Sequence, residues 1–336
     1  MIFPKWIREG DTIGVTALSD GVYKETDKIR FENGKKQLES RGFEVVMTPN
    51  VFMADEKGRS SIGGERATQL ASLIKDENVT GIISAKGGNY LMEMLPYVDF
   101  DEILRNPKWI QGYSDNTSLI YYLTTKYDLA TVYGCNFGDF GMEEWSRSVL
   151  GNIAVLKGEE KTQKSFEYFE DGFHDRITGL EGYYKDMPVC WKNLRGEEEL
   201  KIKGRLIGGC LDVLLNITGT RYDGTLEFCE KYKNDGIVFY FETYDLNSEE
   251  LMMGLWHLKE LGWFKYASGF VFGRPLIFDS WTNTGFDEVV DMILGDLEIP
   301  IILDADIGHK GPQFVIINGA VGEFTSKNGK GELKIF

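Results

Sequence analysis

The first half of the chain alternates short, apolar, β-branched runs with amphipathic segments of helical spacing. The predicted strands are Thr12–Thr16, Glu44–Met47, Gly81–Ser84 and Trp109–Tyr113, and helical patterns cover about 28–40, 66–75 and the stretch that follows Tyr113 through Tyr127. Such a strand–helix–strand succession places parallel strands in one sheet with helices over its faces. This half of the chain is therefore predicted to be an α/β domain.

The length and the later pattern indicate a second domain. A single domain commonly has roughly 100–200 residues, and this chain has 336. Periodicity is lost between about 157 and 199, where charged and aromatic residues mix with glycines. We predict a first domain at 1–160, a linker at 161–199 and a smaller, mixed α/β domain at 200–336. Its predicted strands are Leu200–Ile207, Ile237–Phe241, Gly269–Phe272, Ile301–Leu303 and Phe314–Ile317.

Charge and cysteine usage exclude several classes of partner and site. The formal net charge of −16 repels nucleic acid and anionic membranes. The N-terminal residues include charges and a proline where a signal peptide is apolar, and no apolar run approaches ~20 residues, so a cytoplasmic location is expected. Four scattered cysteines without a C-x-x-C pair argue against metal and disulfide scaffolds and are expected to be mostly buried thiols; they are Cys135, Cys190, Cys210 and Cys229.

Ser114 directly follows a predicted strand and opens a predicted helix. The stretch Gly112-Tyr113-Ser114-Asp115-Asn116 resembles the G-x-S-x-G nucleophile elbow, except that Asn116 replaces the last glycine. Such a turn presents a hydroxyl at a helix N-terminus, where developing negative charge is stabilised. A serine or aspartate that caps a helix is the alternative interpretation.

Paired glycines follow another predicted strand of the same domain. Gly87 and Gly88 let backbone N–H groups approach a ligand closely, as an oxyanion hole requires. Their surroundings match neither the dinucleotide nor the P-loop pattern. A plain turn is the alternative.

A carboxylate and a histidine follow strands of the second half. Glu242 ends the buried run Ile237–Phe241, and His309 lies in a loop after Ile301–Leu303 bounded by glycines and a proline. Of the other two histidines, His257 falls in an apolar helix and His174 in the linker, so both are expected to be structural or exposed. Serine, glutamate and histidine at strand ends are the components of a Ser-His-acid triad.

These stretches resemble the LD-carboxypeptidase family of serine peptidases, which includes the microcin-C-resistance peptidases. The resemblance spans nearly the whole chain and includes Gly10–Val15, Gly87-Gly88, Gly112–Asp115, Gly204–Leu211, the Glu242 strand and Gly308-His309 with Pro312. It implies a flavodoxin-like N-terminal domain and a mixed α/β C-terminal domain, with the active site between them. It also implies that Ser114 is the nucleophile, that His309 moves the proton and that Glu242 orients His309.

The same resemblance implies further properties. The oxyanion would bind the backbone N–H groups of Gly88 and Asp115, with Gly87 in contact with the substrate. Family members release a terminal D-alanine from murein tetrapeptides in cell-wall recycling, use no metal or organic cofactor and are often homodimers. Departures at Lys86, Asn89 and Tyr90 affect the expected substrate contacts.

Alternative functions follow from the same residues. Trp191 lies where the microcin-resistance branch stacks an aromatic residue on a nucleobase, which favours hydrolysis of aminoacyl or peptidyl adenylate analogues; packing at a domain interface is the other interpretation of Trp191. A non-catalytic binder of cell-wall peptides or of a nucleotide would use the same cleft. A cysteine peptidase built on Cys135 is a further alternative, because Cys135 also follows a strand.

Overall fold

The computed structural model describes residues 1–336, and no helix in it is both long and apolar enough to cross a lipid bilayer. Strands and helices alternate through the first part of the chain, as the sequence pattern predicts. In chain order these elements are β1 (Thr12–Thr16), α1 (Glu25–Glu39), β2 (Glu44–Met47), α2 (Gly63–Lys75), β3 (Val79–Ser84), α3 (Phe100–Arg105), β4 (Trp109–Gly112), α4 (Thr117–Tyr127), β5 (Thr131–Tyr133) and α5 (Arg147–Leu156).

The second part begins with very short strands and continues with longer elements. In chain order they are β6 (Thr162–Lys164), β7 (Tyr168–Phe169), β8 (Met187–Pro188), β9 (Lys192–Asn193), β10 (Glu199–Cys210), α6 (Leu211–Ile217), α7 (Thr225–Lys231), β11 (Ile237–Glu242), α8 (Ser248–Glu260), β12 (Ala267–Gly273), α9 (Phe286–Leu294), β13 (Ile301–Ala305), β14 (Ile316–Asn318), β15 (Val321–Lys327) and β16 (Lys330–Ile335).

The chain forms two compact units, and each of them is made of three separate segments of the chain. The first comprises residues 1–160, 174–183 and 315–317, and the second comprises 161–173, 184–314 and 318–336. The segment predicted as a linker, 161–199, is thus divided between both units and contains β6 to β9. Strands of two or three residues carry no readable periodicity, which is why the sequence pattern showed none there.

The first unit is built on a six-stranded sheet in the order β14-β5-β4-β3-β1-β2. From β2 to β5 the neighbouring strands pair in parallel. The order 2-1-3-4-5 is that of flavodoxin-like sheets, in which ligands bind beyond the carboxyl ends of the strands. Strands β1, β3 and β4 are buried along nearly their whole length, as expected for a parallel sheet covered by helices.

The second unit contains an eight-stranded mixed sheet in the order β6-β16-β15-β10-β11-β12-β13-β9. Its centre, β10 to β13, is parallel, and the strands on both sides pair antiparallel. All six residues of β11 are buried, which explains the continuous apolar run seen in the sequence. The α/β fold with two units is thereby confirmed.

Candidate active site

Ser114 has a backbone conformation that L-amino acids rarely adopt. Its φ is 65°, and it lies between β4 and α4 at the start of a 3₁₀ turn over Ser114–Asn116. A helix-capping residue ordinarily has extended backbone, whereas a strained strand-to-helix turn is the hallmark of a nucleophile elbow. The conformation of Ser114 therefore favours the elbow over the cap.

The glycine pair lies directly against this elbow. A Cβ atom placed on Gly87 would come within 2.9 Å of Ser114 Oγ and 3.8 Å of the Asp115 backbone nitrogen. Gly88 has a φ of 152°, and a Cβ there would overlap Ser19 Oγ and Asp20 Oδ1. Only glycine permits this approach, so the loop after β3 and the elbow after β4 share one small space within the first unit.

Asn116 ties the elbow to the glycine loop. Its side chain is completely buried, and its Nδ2 lies 3.0 Å from Lys86 O, 2.9 Å from Tyr113 O and 3.1 Å from Asn136 Oδ1. Ser84 donates a hydrogen bond to Asn116 Oδ1 at 2.7 Å. Asn116, which breaks the G-x-S-x-G pattern, thus holds the elbow in place through its side chain.

Asp115 fixes the other side of the glycine loop through its side chain. Its Oδ2 accepts hydrogen bonds from Ser19 Oγ at 2.6 Å and from the Leu91 N–H at 2.8 Å. Burial raises the pKa of the Asp115 carboxyl, and these hydrogen bonds lower it in part. Nearby, burial raises the pKa of Asp20 to about 6, opposed chiefly by the positive charge of Lys86.

Glu242 and His309 form a hydrogen-bonded pair within the second unit. Glu242 Oε2 lies 2.7 Å from His309 Nδ1, and the two side chains are 0% and 6% exposed. A carboxylate on Nδ1 fixes the tautomer and orientation of an imidazole, as the acid of a catalytic triad does. The two predicted partners are therefore in contact, whereas Ser114 belongs to the first unit.

Glycines make room for this pair. Gly308 has a φ of 93°, and a Cβ at this position would overlap the Glu242 side chain. Behind it, Asp306 Oδ1 pairs with Arg274 at 2.6 Å, and its Oδ2 accepts from Trp191 Nε1 at 3.2 Å. The loop that carries His309 is thus anchored on a buried ion pair.

Trp191, the expected substrate contact, is enclosed by other side chains of the second unit. Its indole ring is 2% exposed and packs against Phe314 and Phe324, with ring centroids 5.6 Å and 6.4 Å away. A ring enclosed by other side chains has no face on which a nucleobase could stack. This environment favours the packing interpretation of Trp191 over the stacking interpretation.

The cysteines and His257, which the sequence also offered as candidates, differ in their exposure. Cys135 is completely buried, and burial raises the pKa of its thiol well above the ordinary range, so it lacks the thiolate that a cysteine nucleophile needs. Cys210 and Cys229 are buried and Cys190 is exposed, all as free thiols. His257 is exposed on α8. The burial of Cys135 therefore argues against the cysteine-peptidase alternative.

The Gly204–Leu211 stretch acts through backbone packing. Gly208 would overlap Tyr240 O if it carried a Cβ, so the glycine allows β10 to lie close to β11. Their parallel register places Cys210 opposite Glu242. The sequence pattern does not reveal this effect, because the register of two strands separated by α6 and α7 is not readable from either strand.

Comparison with known proteins connects both units to one family. The LD-carboxypeptidase N-terminal domain matches residues 13–134, and the LD-carboxypeptidase C-terminal domain matches residues 203–324. A Vibrio cholerae protein that carries the name carboxypeptidase is 28% identical, with 98% of this chain and 96% of that protein covered. The microcin C7 self-immunity protein MccF of Escherichia coli is also 28% identical, with 95% and 92% covered.

Solved structures have the same fold. An MccF-like protein from Bacillus anthracis gives a TM-score of 0.82 at 24% identity, covering 100% of this chain and 99% of that one. MccF in complex with glutamyl sulfamoyl guanosine gives 0.80 at 24% identity, covering 98% of both chains. A muramoyltetrapeptide carboxypeptidase from Oxalobacter formigenes gives 0.72 at 20% identity, covering 96% and 98%. With both domain matches, this chain belongs to the LD-carboxypeptidase family of peptidases.

Proposed function

We propose that this protein is a serine carboxypeptidase that releases D-alanine from murein tetrapeptides through a triad of Ser114, His309 and Glu242. The observation that carries the proposal is the left-handed backbone of Ser114, which helix capping does not require and which a nucleophile elbow does. The family membership supports the peptidase class, and the Glu242–His309 pair supplies the groups that a serine nucleophile needs.

The chemistry follows the usual course of acyl transfer. His309 takes the proton of the Ser114 hydroxyl as Oγ bonds to the scissile carbonyl carbon, and Glu242 stabilises the resulting imidazolium through Nδ1. The C–N bond then breaks, and His309 gives the proton to the departing amine of D-alanine. A water molecule hydrolyses the acyl-serine by the same proton transfers in reverse order. The backbone N–H groups of Gly88 and Asp115 are proposed to bind the oxyanion.

The substrate is tested with defined peptides. Purified protein is incubated with murein tetrapeptides that contain either meso-diaminopimelate or lysine, and products are identified by mass spectrometry. We expect tripeptide and D-alanine in equal amounts, and no cleavage of a matched peptide that ends in L-alanine. Absence of D-alanine from both tetrapeptides would contradict the substrate assignment.

The triad is tested by substitution. Ser114→Ala is expected to lower kcat by about 10³-fold or more, with binding of tetrapeptide retained. His309→Ala should slow the reaction of Ser114 with a fluorophosphonate probe, because the hydroxyl loses its base. Wild-type labelling of Ser114 in the His309→Ala protein would exclude His309 as that base. If the wild type has no turnover yet binds tetrapeptide, the protein is a non-catalytic binder.

A second candidate is hydrolysis of aminoacyl or peptidyl nucleotide analogues. It is favoured by the similarity to MccF, which covers more than nine-tenths of both chains, and a solved MccF structure holds glutamyl sulfamoyl guanosine. Measuring kcat/KM for an aminoacyl sulfamoyl adenosine beside the tetrapeptides separates the two. A larger value for the nucleotide would place this protein with MccF in substrate class.

A further inference from the structure

Asp212 lies in the first turn of α6, close to the strand end that carries Glu242. Strands β10 and β11 place Cys210 opposite Glu242, and Asp212 follows two residues later. Its carboxylate accepts hydrogen bonds from the N–H groups of Tyr244 and Asp245, both at 3.0 Å. One side chain on α6 thus holds the loop that leaves β11.

The loop held by Asp212 carries an aromatic ring that contacts His309. The Tyr244 and His309 ring centroids are 5.0 Å apart, with an angle of 69° between the planes, which is the edge-on arrangement that aromatic pairs prefer. On its other side, the loop backbone accepts hydrogen bonds from Leu276 and Ile277. The position of Tyr244, and with it one packing contact of the imidazole, therefore depends on Asp212.

We infer that Asp212 is a positioning residue for His309, because it holds Tyr244 against the imidazole and adds a second negative charge beside Glu242. The inference rests on the proposed role of His309 as the proton carrier. Glu242 fixes the imidazole through Nδ1, and the Tyr244 ring packs against the imidazole and restrains its rotation. A general base needs both restraints to keep its second nitrogen aimed at one proton.

The charged groups around His309 determine whether the charge of Asp212 favours the protonated or the neutral imidazole. Lys310 pairs with Asp171 at 2.6 Å, and Arg274 pairs with Asp306 at 2.6 Å. Burial keeps the Cys210 thiol protonated by raising its pKa. Burial also raises the pKa of Asp212 to about 6, and the charge of Glu242 adds to this effect, so Asp212 is an anion at pH 8. An additional anion near Glu242 favours the imidazolium.

The test measures the His309 pKa by NMR titration, which requires no turnover. The His309 signal is assigned by its loss in His309→Gln. In Asp212→Asn we expect the His309 pKa to fall by about half a unit, because one of two nearby anions is removed. Asp245→Asn removes the same charge from the exposed side of the same loop and keeps the backbone donor, so a smaller shift is expected. Equal shifts in both variants, or none in Asp212→Asn, would overturn the inference.

A second variant distinguishes the positioning of His309 by Tyr244 from the effect of the Asp212 charge and from unfolding of the protein. Tyr244→Leu removes the ring and retains Asp212; we expect kcat to fall about tenfold with KM changed less than twofold, at an unchanged melting temperature. Wild-type kcat in Tyr244→Leu would contradict the positioning role. If the wild type cleaves none of the offered substrates, the peptidase proposal fails, whereas the NMR titration still decides the effect of Asp212 on His309.

Discussion

Two glycines determine how closely the backbone can approach the candidate catalytic groups. Gly308 adopts a φ of 93° directly beside Glu242, and Gly87 lies against Ser114 in the same way. Gly308 provides both a conformation and a space that other residues cannot supply, and Gly87 provides a space. The residue before His309 is therefore as restricted in its identity as the histidine proposed to be catalytic.

Gly308→Ala is expected to damage activity more than stability. The new methyl group overlaps the Glu242 carboxylate and displaces it from His309, so kcat should fall by roughly 100-fold, since small misplacements of catalytic groups have effects of this size. Gly262→Ala is the matched control: its φ is 85° and no atom lies within 4 Å of the added Cβ. Both variants should lose about 1 kcal/mol of unfolding free energy from backbone strain. Equal kcat values in the two would refute this steric account.

Asp20 should make the stability depend on pH between about 4 and 6. Its pKa is raised from 3.8 to about 6 by burial, so the folded state binds the proton more tightly than the unfolded state. The stabilisation is present below pH 4 and is lost as the pH rises through 6. Asp20→Asn should therefore be more stable than wild type at pH 7, by about 1 kcal/mol after allowance for its partial exposure, and equal to it at pH 4. Urea unfolding at both pH values measures the difference; an equal gap at both would contradict it.

At the scale of elements, catalytic candidates lie where strands end, and this is the part that the sequence could predict. Strand and helix periodicity placed Ser114, Glu242 and the glycine pair at the carboxyl ends of β4, β11 and β3. It could not predict that the Asn116 side chain connects the elbow to the glycine loop or that Asp212 holds the loop after β11, since both depend on contacts between distant segments. Trp191 was assigned to substrate for the same reason: burial by Phe314 and Phe324 is a tertiary property.

Asn116→Gly restores the G-x-S-x-G pattern but should impair the protein. The substitution removes the amide donor of Asn116 from the part-buried carbonyl oxygens of Lys86 and Tyr113, and Lys86 O keeps only the Ser84 hydroxyl, at a cost of about 2 kcal/mol. The elbow also loses its connection to the glycine loop, so kcat should fall at least tenfold. Asn89→Gly, at an exposed position of the same loop, serves as the control for stability. An Asn116→Gly protein as stable as the Asn89→Gly protein would show that these hydrogen bonds contribute little.

At the scale of the whole molecule, acidic residues outnumber basic ones by 53 to 37. Self-repulsion at this net charge opposes the compact state, and salt screens it over a Debye length of about 10 Å at 0.1 M. We expect the urea midpoint at pH 8 to rise between roughly 20 and 300 mM NaCl. A falling midpoint would mean that screened attractions, such as the Arg205–Asp235 pair, outweigh the repulsion.

Strand β14 pairs with the first sheet although it comes late in the chain, and this affects how the first unit folds during synthesis. The first unit includes residues 315–317, which lie beside β5 at one end of its sheet. Residues 315–317 are synthesised only after β10 to β13 of the second unit, so the first sheet stays one strand short, with the β5 side uncovered, while those strands are being made. A nascent chain stalled before residue 315 should therefore engage chaperones that recognise unpaired strands, although its first 160 residues are already available to fold.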